Sequence, residues 1–339
     1  MANEKIAIVG SYGCGKTVLL TVLTHYFQHQ TEEGYQIRPE NQAATNFCIE
    51  KWDELQNGEW PAPTPPAEKP PIYKWKLCYG TKEKEMVTSD IAGEAWRSFI
   101  TEKVESASEE NLESPWQTIK QQWQTIPSIL SQETIDKHLT SVENLLKDAS
   151  GIFLLLDLSQ IINKEQGYDL AMFLPTALVK YMKNIKREHV PITLVLSKTD
   201  KYKYMYEEIG DWQKVIESCL PWAPSFTKII PVSAVADTKI KTRDNGKSES
   251  CPAPEFSSEG LKELYEDIWQ TMATASERER LHAFKRFCLI DIPILFLLWG
   301  IYILIFVLAT SAFLCSIFFW TSLIIYACIK FIIFMNKKK

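Results

Sequence analysis

The 339-residue chain has eight cysteines but no C-x-x-C pair. Cys14, Cys48, Cys78, Cys219, Cys251, Cys288, Cys315 and Cys328 are scattered, which argues against a zinc site and a disulfide scaffold and suits a reducing cytosol. A basic footprint is missing as well. From Ser276 onward eight Lys and Arg face three Asp and Glu, a balance of +5, so the overall net charge of −5 leaves −10 for the first 275 residues. An acidic body of this kind argues against nonspecific nucleic-acid binding. There is no internal repeat, and the charged start runs straight into a strand pattern rather than a secretory leader.

Long apolar runs are absent from the body and concentrated at the end. Phe287 to Met335 is almost entirely apolar, roughly twice the length that spans a hydrocarbon layer of about 30 Å. Two passes are therefore expected, at about 288–309 and 312–334 within an apolar segment 288–335, turning near Ala309-Thr310-Ser311. Lys285 and Arg286 precede the run, Lys330 and Lys337-Lys338-Lys339 close it, and the positive-inside rule puts both ends on the cytoplasmic face. A hairpin that enters one leaflet and returns fits the same composition. Asp291 sits at the edge of the run, where an acid is solvated, so the tail predicts attachment to a lipid bilayer rather than a pore.

The amino-terminal end carries chemistry. Gly10-Ser11-Tyr12-Gly13-Cys14-Gly15-Lys16-Thr17 spells G-x-x-x-x-G-K-[ST], a loop whose backbone N–H groups converge on phosphates. Gly10, Gly13, Cys14 and Gly15 supply the curled backbone, Lys16 reaches the β/γ oxygens, and the Thr17 hydroxyl can ligate Mg²⁺. The strand pattern Lys5–Val9 precedes the loop, and a helix from about Thr17 to Gln28 presents its amino terminus to the anion.

Strand and helix patterns alternate beyond the loop and predict an α/β fold over 1–275: a mainly parallel sheet with helices on both faces. A second helix is expected from about Asn41 to Gln56, then a proline-rich loop over 57–66. Strands follow at 72–79, 84–89, 151–157, 192–196 and 228–232, with a helix over about 169–186. Between them lies a polar, helix-prone insertion, 99–149, and later a polar stretch, 237–259, that reads as a flexible loop. Leu261, Leu264, Tyr265, Ile268, Trp269 and Met272 recur at helical spacing and predict the core face of a final helix. A basic segment, 276–287, leads into the apolar tail.

Three further signals end strands. Asp90-x-x-Gly93 is a carboxylate suited to the Mg²⁺ shell followed by a glycine amide suited to the γ-phosphate. Ser197-Lys198-Thr199-Asp200 follows the strand at 192–196, and Ser233-Ala234 follows the one at 228–232. Together with the phosphate loop, in this order, they resemble the Ras-like GTPases of the translation-factor-related class over about residues 4–275. The resemblance implies GTP or GDP as ligand, Mg²⁺ as cofactor, slow hydrolysis, and two segments that respond to the γ-phosphate. It assigns Lys16 to the phosphates, Thr17 and Asp90 to the metal, Gly93 to the γ-phosphate, Lys198 and Asp200 to guanine, and Ser233 and Ala234 to the base pocket. Thr64 is the candidate first-switch threonine, and thus a third metal ligand.

Departures from that pattern bear on activity. Ser197 replaces the usual Asn or Thr. Glu94 stands where relatives orient water with glutamine, making it, with Lys16, the candidate catalytic pair and leaving a binding-only scaffold open. Tyr12 puts bulk where a small residue is common, and Arg97 is a candidate arginine finger on an exposed helix. The insertion 99–149, or the tail hairpin, is the expected site of a protein partner or self-association. The functional expectation is a membrane-anchored GTP switch with its GTPase domain on the cytoplasmic side. A nucleotide-gated membrane effector is the alternative, and an ATPase stays open if Ser197–Asp200 is coincidental.

Overall fold

A computed structural model describes residues 4–29, 34–62, 71–89, 96, 132–164, 168–220, 226, 228–242, 248–253, 255–308 and 312–336. Thr64, Asp90, Gly93, Glu94, Arg97 and the expected tail turn at 309–311 lie outside them. So does most of the 99–149 insertion.

In chain order the elements are β1 (Glu4–Gly10), α1 (Lys16–His29), β2 (Tyr35–Pro39), α2 (Gln42–Gln56), β3 (Ile72–Tyr79), β4 (Lys82–Ser89), α3 (Gln132–Asp148) and β5 (Ala149–Asp157). There follow α4 (Leu158–Ile162), α5 (Tyr168–Asn184), β6 (Ile192–Ser197), α6 (Lys203–Ile209), α7 (Trp212–Cys219), β7 (Ile229–Val232), β8 (Thr238–Thr242) and β9 (Ser248–Pro252). The last helices are α8 (Leu261–Arg286), α9 (Ile292–Leu308) and α10 (Ala312–Asn336). Two compact units result, Met1–Arg278 and Glu279–Lys339.

Seven strands form one sheet in the order β2-β3-β4-β1-β5-β6-β7. The pairs β4-β1, β1-β5, β5-β6 and β6-β7 are parallel, while β2-β3 and β3-β4 are antiparallel. The sheet is therefore mostly parallel, with an antiparallel edge that includes β2, a strand the sequence reading did not anticipate. Period-two alternation places Ala7, Val9, Ile152, Leu154 and Leu156 on one face, packed with residues of α3, α5 and α7. Ile6, Ile8, Phe153 and Leu155 point to the other face, into a core shared with α1, α2 and α8. Strands covered on both faces read as unbroken apolar runs, which is why β1 and β5 stand out in the sequence.

The anticipated stripe on α8 is buried throughout, from Leu261 to Met272. Its tyrosine has a second task, since the Tyr265 hydroxyl donates to the carbonyls of Gln36 (2.9 Å) and Cys78 (2.6 Å), pinning the helix to β2 and β3. At the same β2–β3 edge, Asn41 caps α2 by accepting from the Ala44 N–H at 3.0 Å, and its amide donates to the Ile72 carbonyl at 2.8 Å.

Two expectations are corrected here. The 237–259 stretch is not simply a loop: β8 and β9 pair antiparallel within it, from Thr238↔Pro252 to Thr242↔Ser248. The insertion also ends sooner than expected, because β5 begins at Ala149. In the second unit, a π-helical turn at Phe287–Asp291 precedes α9. Side chains are described on α9 as far as Ile301 and on α10 again from Phe319. Among the described residues, no helix is long and apolar enough to cross a membrane. The 17 residues of α9 measure about 25 Å against a layer of about 30 Å.

Candidate functional site

Parallel strands deliver their carboxyl ends to one edge of the sheet, and the strand-end motifs after β1, β6 and β7 gather there beside the end of β5. The loop after β1 turns through two left-handed glycines, Gly13 (φ +73°) and Gly15 (φ +94°), a conformation that any side chain would strain. Gly10 is required for a different reason. A Cβ there would lie 2.8 Å from the Leu155 carbonyl oxygen and 2.6 Å from Cys14 Sγ.

Lys16, buried at the start of α1, donates from Nζ to the carbonyls of Gly10 and Ser11, each at 2.9 Å. Those carbonyls aim the ammonium across the loop's concavity. Thr17 occupies the first turn of α1 beside it and lines the same cavity. Cys14 is fully buried, and desolvation pushes its thiol above the usual range despite the nearby Lys16 ammonium, so it stays protonated.

Side chains from neighbouring strand ends brace the loop from below. Ser197, at the end of β6, donates its hydroxyl to the Cys14 carbonyl at 3.0 Å. A short hydroxyl therefore suffices where the sequence pattern departs from Asn or Thr. Gln160 on α4 donates from Nε2 to the Tyr12 carbonyl (2.6 Å) and accepts from Ser11 Oγ at 2.5 Å. Asp157, wholly buried at the end of β5, caps α4 through the Ser159 N–H (2.8 Å) and hydroxyl (2.6 Å) and pairs with Lys198 Nζ. Lys198 itself adopts φ +59°, uncommon for a residue with a Cβ, and the ion pair holds it there. Sequence reading missed Gln160 and Asp157, since neither belongs to a recognisable spacing. Their only sequence signal is position just past a buried strand.

The other end of the site joins β6 to β7. Ser233 accepts from the Asp200 N–H at 2.9 Å and donates its hydroxyl to the Asp200 carboxylate. Its own backbone pairs with Glu259 in both directions, at 3.1 and 2.9 Å. Gly260 lies so close to the Pro231 carbonyl that no side chain fits there, which locks the start of α8 against the base of β7.

Between these two ends lies one cavity of about 390 Å³, within the range of small-molecule sites. Its lining joins the phosphate loop from Tyr12 to Thr17 with Ser197, Lys198, Asp200, Ser233 and Ala234. Trp60, Pro61, Ala62, Thr238 and Ser250 also line it, none of which the sequence reading named as a site residue. Among the described residues no group of three His, Cys, Asp or Glu is placed to hold a metal. Thr17 is the one sequence-assigned metal ligand that is described.

No protein-family model matches the chain. No curated protein sequence matches it either. Among solved structures, it is similar to the Methanosarcina barkeri Roco2 RocCORdC structure bound to GDP (12% identity, 80% of this chain and 49% of that one, TM-score 0.31). It is also similar to translation elongation factor SelB from Methanococcus maripaludis in complex with the GTP analogue GppNHp (13% identity, 80% and 34%, TM-score 0.33). A third is the septin GTPase domain from Chlamydomonas reinhardtii (13% identity, 84% and 98%, TM-score 0.32). The chain spans about half the length of the first of these. Likenesses this slight leave the fold to rest on this chain's own residues: a mostly parallel sheet with helices on both faces, as in P-loop NTPases, with the Gly10–Thr17 loop and the Ser197–Asp200 segment lining one cavity.

Proposed function

We propose that this chain binds guanine nucleotides, hydrolyses GTP to GDP and phosphate, and acts as a nucleotide-dependent switch at a membrane. The observation that carries the reading is one cavity lined by Lys16 and Thr17 together with Lys198, Asp200, Ser233 and Ala234. An ammonium and convergent amides suit phosphates. A carboxylate held by Ser233 suits the paired N–H donors of guanine, which adenine does not offer.

Mg²⁺ would suit such a site because it keeps several waters and takes few protein oxygens beside substrate phosphates, and the Thr17 hydroxyl lines the cavity. Thr17 would hold it, with Asp90 and Thr64 as the further ligands, and the ion would offset charge developing on the phosphate oxygens. Lys16 would orient and neutralise the same oxygens, and Glu94 is the candidate for positioning water.

Membrane attachment rests on a separate observation. On α9 the side chains of Phe296, Leu297, Leu298, Trp299 and Ile301 are exposed, as are Ile324, Ile325, Ile329, Phe331 and Ile332 on α10, so these helices present apolar surface. Lys330 on α10 lies 3.3 Å from Asp291, just before α9, a contact that a helical hairpin would allow. We take the bilayer as the cover for this surface, with both termini and the first unit on the cytoplasmic side.

The test is competition binding on the full chain in detergent, with GDP, GTP, ADP and ATP, followed by phosphate release. Guanine preference with Mg²⁺-dependent release is expected. Equal affinity for ATP and GTP would sink the guanine assignment.

A further inference from the structure

We propose that the β8–β9 hairpin, with Trp60 docked on it, is a recognition wall for the nucleoside half of the bound nucleotide. The inference rests on the guanine-nucleotide reading above and adds residues that reading does not use. The Trp60 indole N–H donates to the Ser250 carbonyl at 2.7 Å, a contact between residues 190 positions apart. Two residues earlier, Gly58 (φ +69°) brings the backbone so close to the hairpin that an added Cβ would sit 3.3 Å from the Pro252 carbonyl oxygen. The segment leaving α2 is thus laid against β9 at two points.

The hairpin is in turn anchored beside the base-reading loop. Asp237 accepts from the Ser257 N–H (2.8 Å) and hydroxyl (2.6 Å), the Ala236 N–H donates to the Ser257 carbonyl, and the Ala253 N–H donates to the Asp237 carbonyl. Asp237 lies three residues beyond Ala234, so the hairpin issues directly from the end of the cavity assigned to the base. Thr238 and Ser250 line that cavity with Trp60.

An indole whose one polar atom is already satisfied offers the cavity only ring surface. Trp60 remains 42% exposed, the state of an aromatic awaiting a partner rather than one buried in a core. The chemistry that covers such a ring is a flat heteroaromatic base with its ribose, because stacking needs only a π-face and apolar edges. Phosphate has neither. The wall therefore acts on nucleoside affinity and leaves the phosphate loop to its own contacts.

The experiment compares GDP with inorganic tripolyphosphate as probes of the full chain in detergent, by calorimetry, for wild type, Trp60→Ala and Trp60→Phe. Trp60→Ala should lose roughly tenfold in GDP affinity, in line with aromatic–base stacking, while tripolyphosphate affinity moves less than twofold. Trp60→Phe keeps a ring without the bond to Ser250 and should lose less. GDP should also quench a fluorescence component that Trp60→Phe lacks. GDP binding by Trp60→Ala within twofold of wild type overturns the wall and leaves the nucleotide reading standing. An equal loss for both probes overturns it too, since the indole would then serve the loop or the fold. A wild-type chain that binds no GDP removes both proposals.

Discussion

Ser233 meets Asp200 twice, accepting the aspartate's backbone N–H at 2.9 Å and donating its hydroxyl to the carboxylate. One small side chain at the end of β7 thus fixes both the backbone and the acid of the loop after β6. Ser233→Ala leaves the amide and one carboxylate oxygen without this partner, at about 1–3 kcal/mol for groups kept from water. Guanine affinity should fall about tenfold or more while tripolyphosphate binding holds. Asp200→Asn should instead exchange the acceptor for a donor and move preference from GDP toward xanthosine diphosphate. Competition titration with both diphosphates checks the pair, and unchanged preference in Asp200→Asn would remove Asp200 from base recognition.

In the proposed GTPase, Lys16 is the residue on which turnover would depend most directly. Its ammonium already faces two loop carbonyls at 2.9 Å, so Lys16→Ala removes the charge without disturbing a packed apolar core. Phosphate release should drop to background, with triphosphate affinity reduced more than nucleoside affinity. Release that persists in Lys16→Ala, measured with a phosphate sensor on the purified full chain, would place hydrolysis elsewhere.

Gln160 supports the same loop from beneath and gives a stability prediction. It is buried, with both ends of its amide engaged by Ser11 and the Tyr12 carbonyl. Gln160→Ala strands a buried hydroxyl and a carbonyl, so unfolding free energy should fall by about 1–3 kcal/mol. Nucleotide dissociation should also quicken, because the loop's shape is no longer held before the ligand arrives. Denaturant melts and stopped-flow release of a fluorescent GDP separate the two effects.

How much of this was visible beforehand follows from how local each signal is. Gly10–Thr17 is one contiguous string with a buried strand before it, β5 carries the apolar run Ile152–Leu156 and β6 is mostly apolar, so phosphate loop and sheet core could be placed from sequence. Tyr35–Pro39 could not, because its Tyr-Gln-Ile-Arg alternation is only five residues long and closes on a proline, which weakens a strand reading. Thr238–Thr242 is exposed at every position, so its polar composition matches a loop and only pairing with β9 makes it a strand. The contacts of Trp60 with Ser250 and of Gln160 with Tyr12 span 190 and 148 positions, and nothing in either neighbourhood announces them.

Acid should loosen the hairpin anchor at a definable point. The Ser257 hydroxyl and N–H hold the Asp237 carboxyl below its usual range. A depressed folded-state pKa stabilises the fold above the unfolded value of about 3.9 and loses that contribution as pH falls through the folded value. The anchor should therefore be indifferent between pH 5 and pH 8 and weaken only in strong acid. Asp237→Asn should make the change at neutral pH. Hydrogen exchange at the amides of Ser257 and Ala253, followed across pH in wild type and variant, reads this directly.

The ion pair between Asp291 and Lys330 sets the last prediction, because in the proposed hairpin it would join the two sides of the apolar segment. If the bilayer covers α9 and α10, alkaline carbonate should leave the full chain in the membrane fraction, and tags on both termini should be reached from the same face. Lys330→Ala strands the acid at the edge of the apolar layer, where an unpaired charge is costly. It should thus reduce membrane retention more than Asp291→Ala/Lys330→Ala together, the pattern expected of a coupled pair. Thr310→Cys then separates a crossing hairpin from a re-entrant one. A membrane-impermeant maleimide should modify it from the face opposite the termini. Modification only from the terminal face would establish a hairpin that dips into one leaflet, and release of the wild-type chain by carbonate would overturn membrane insertion altogether.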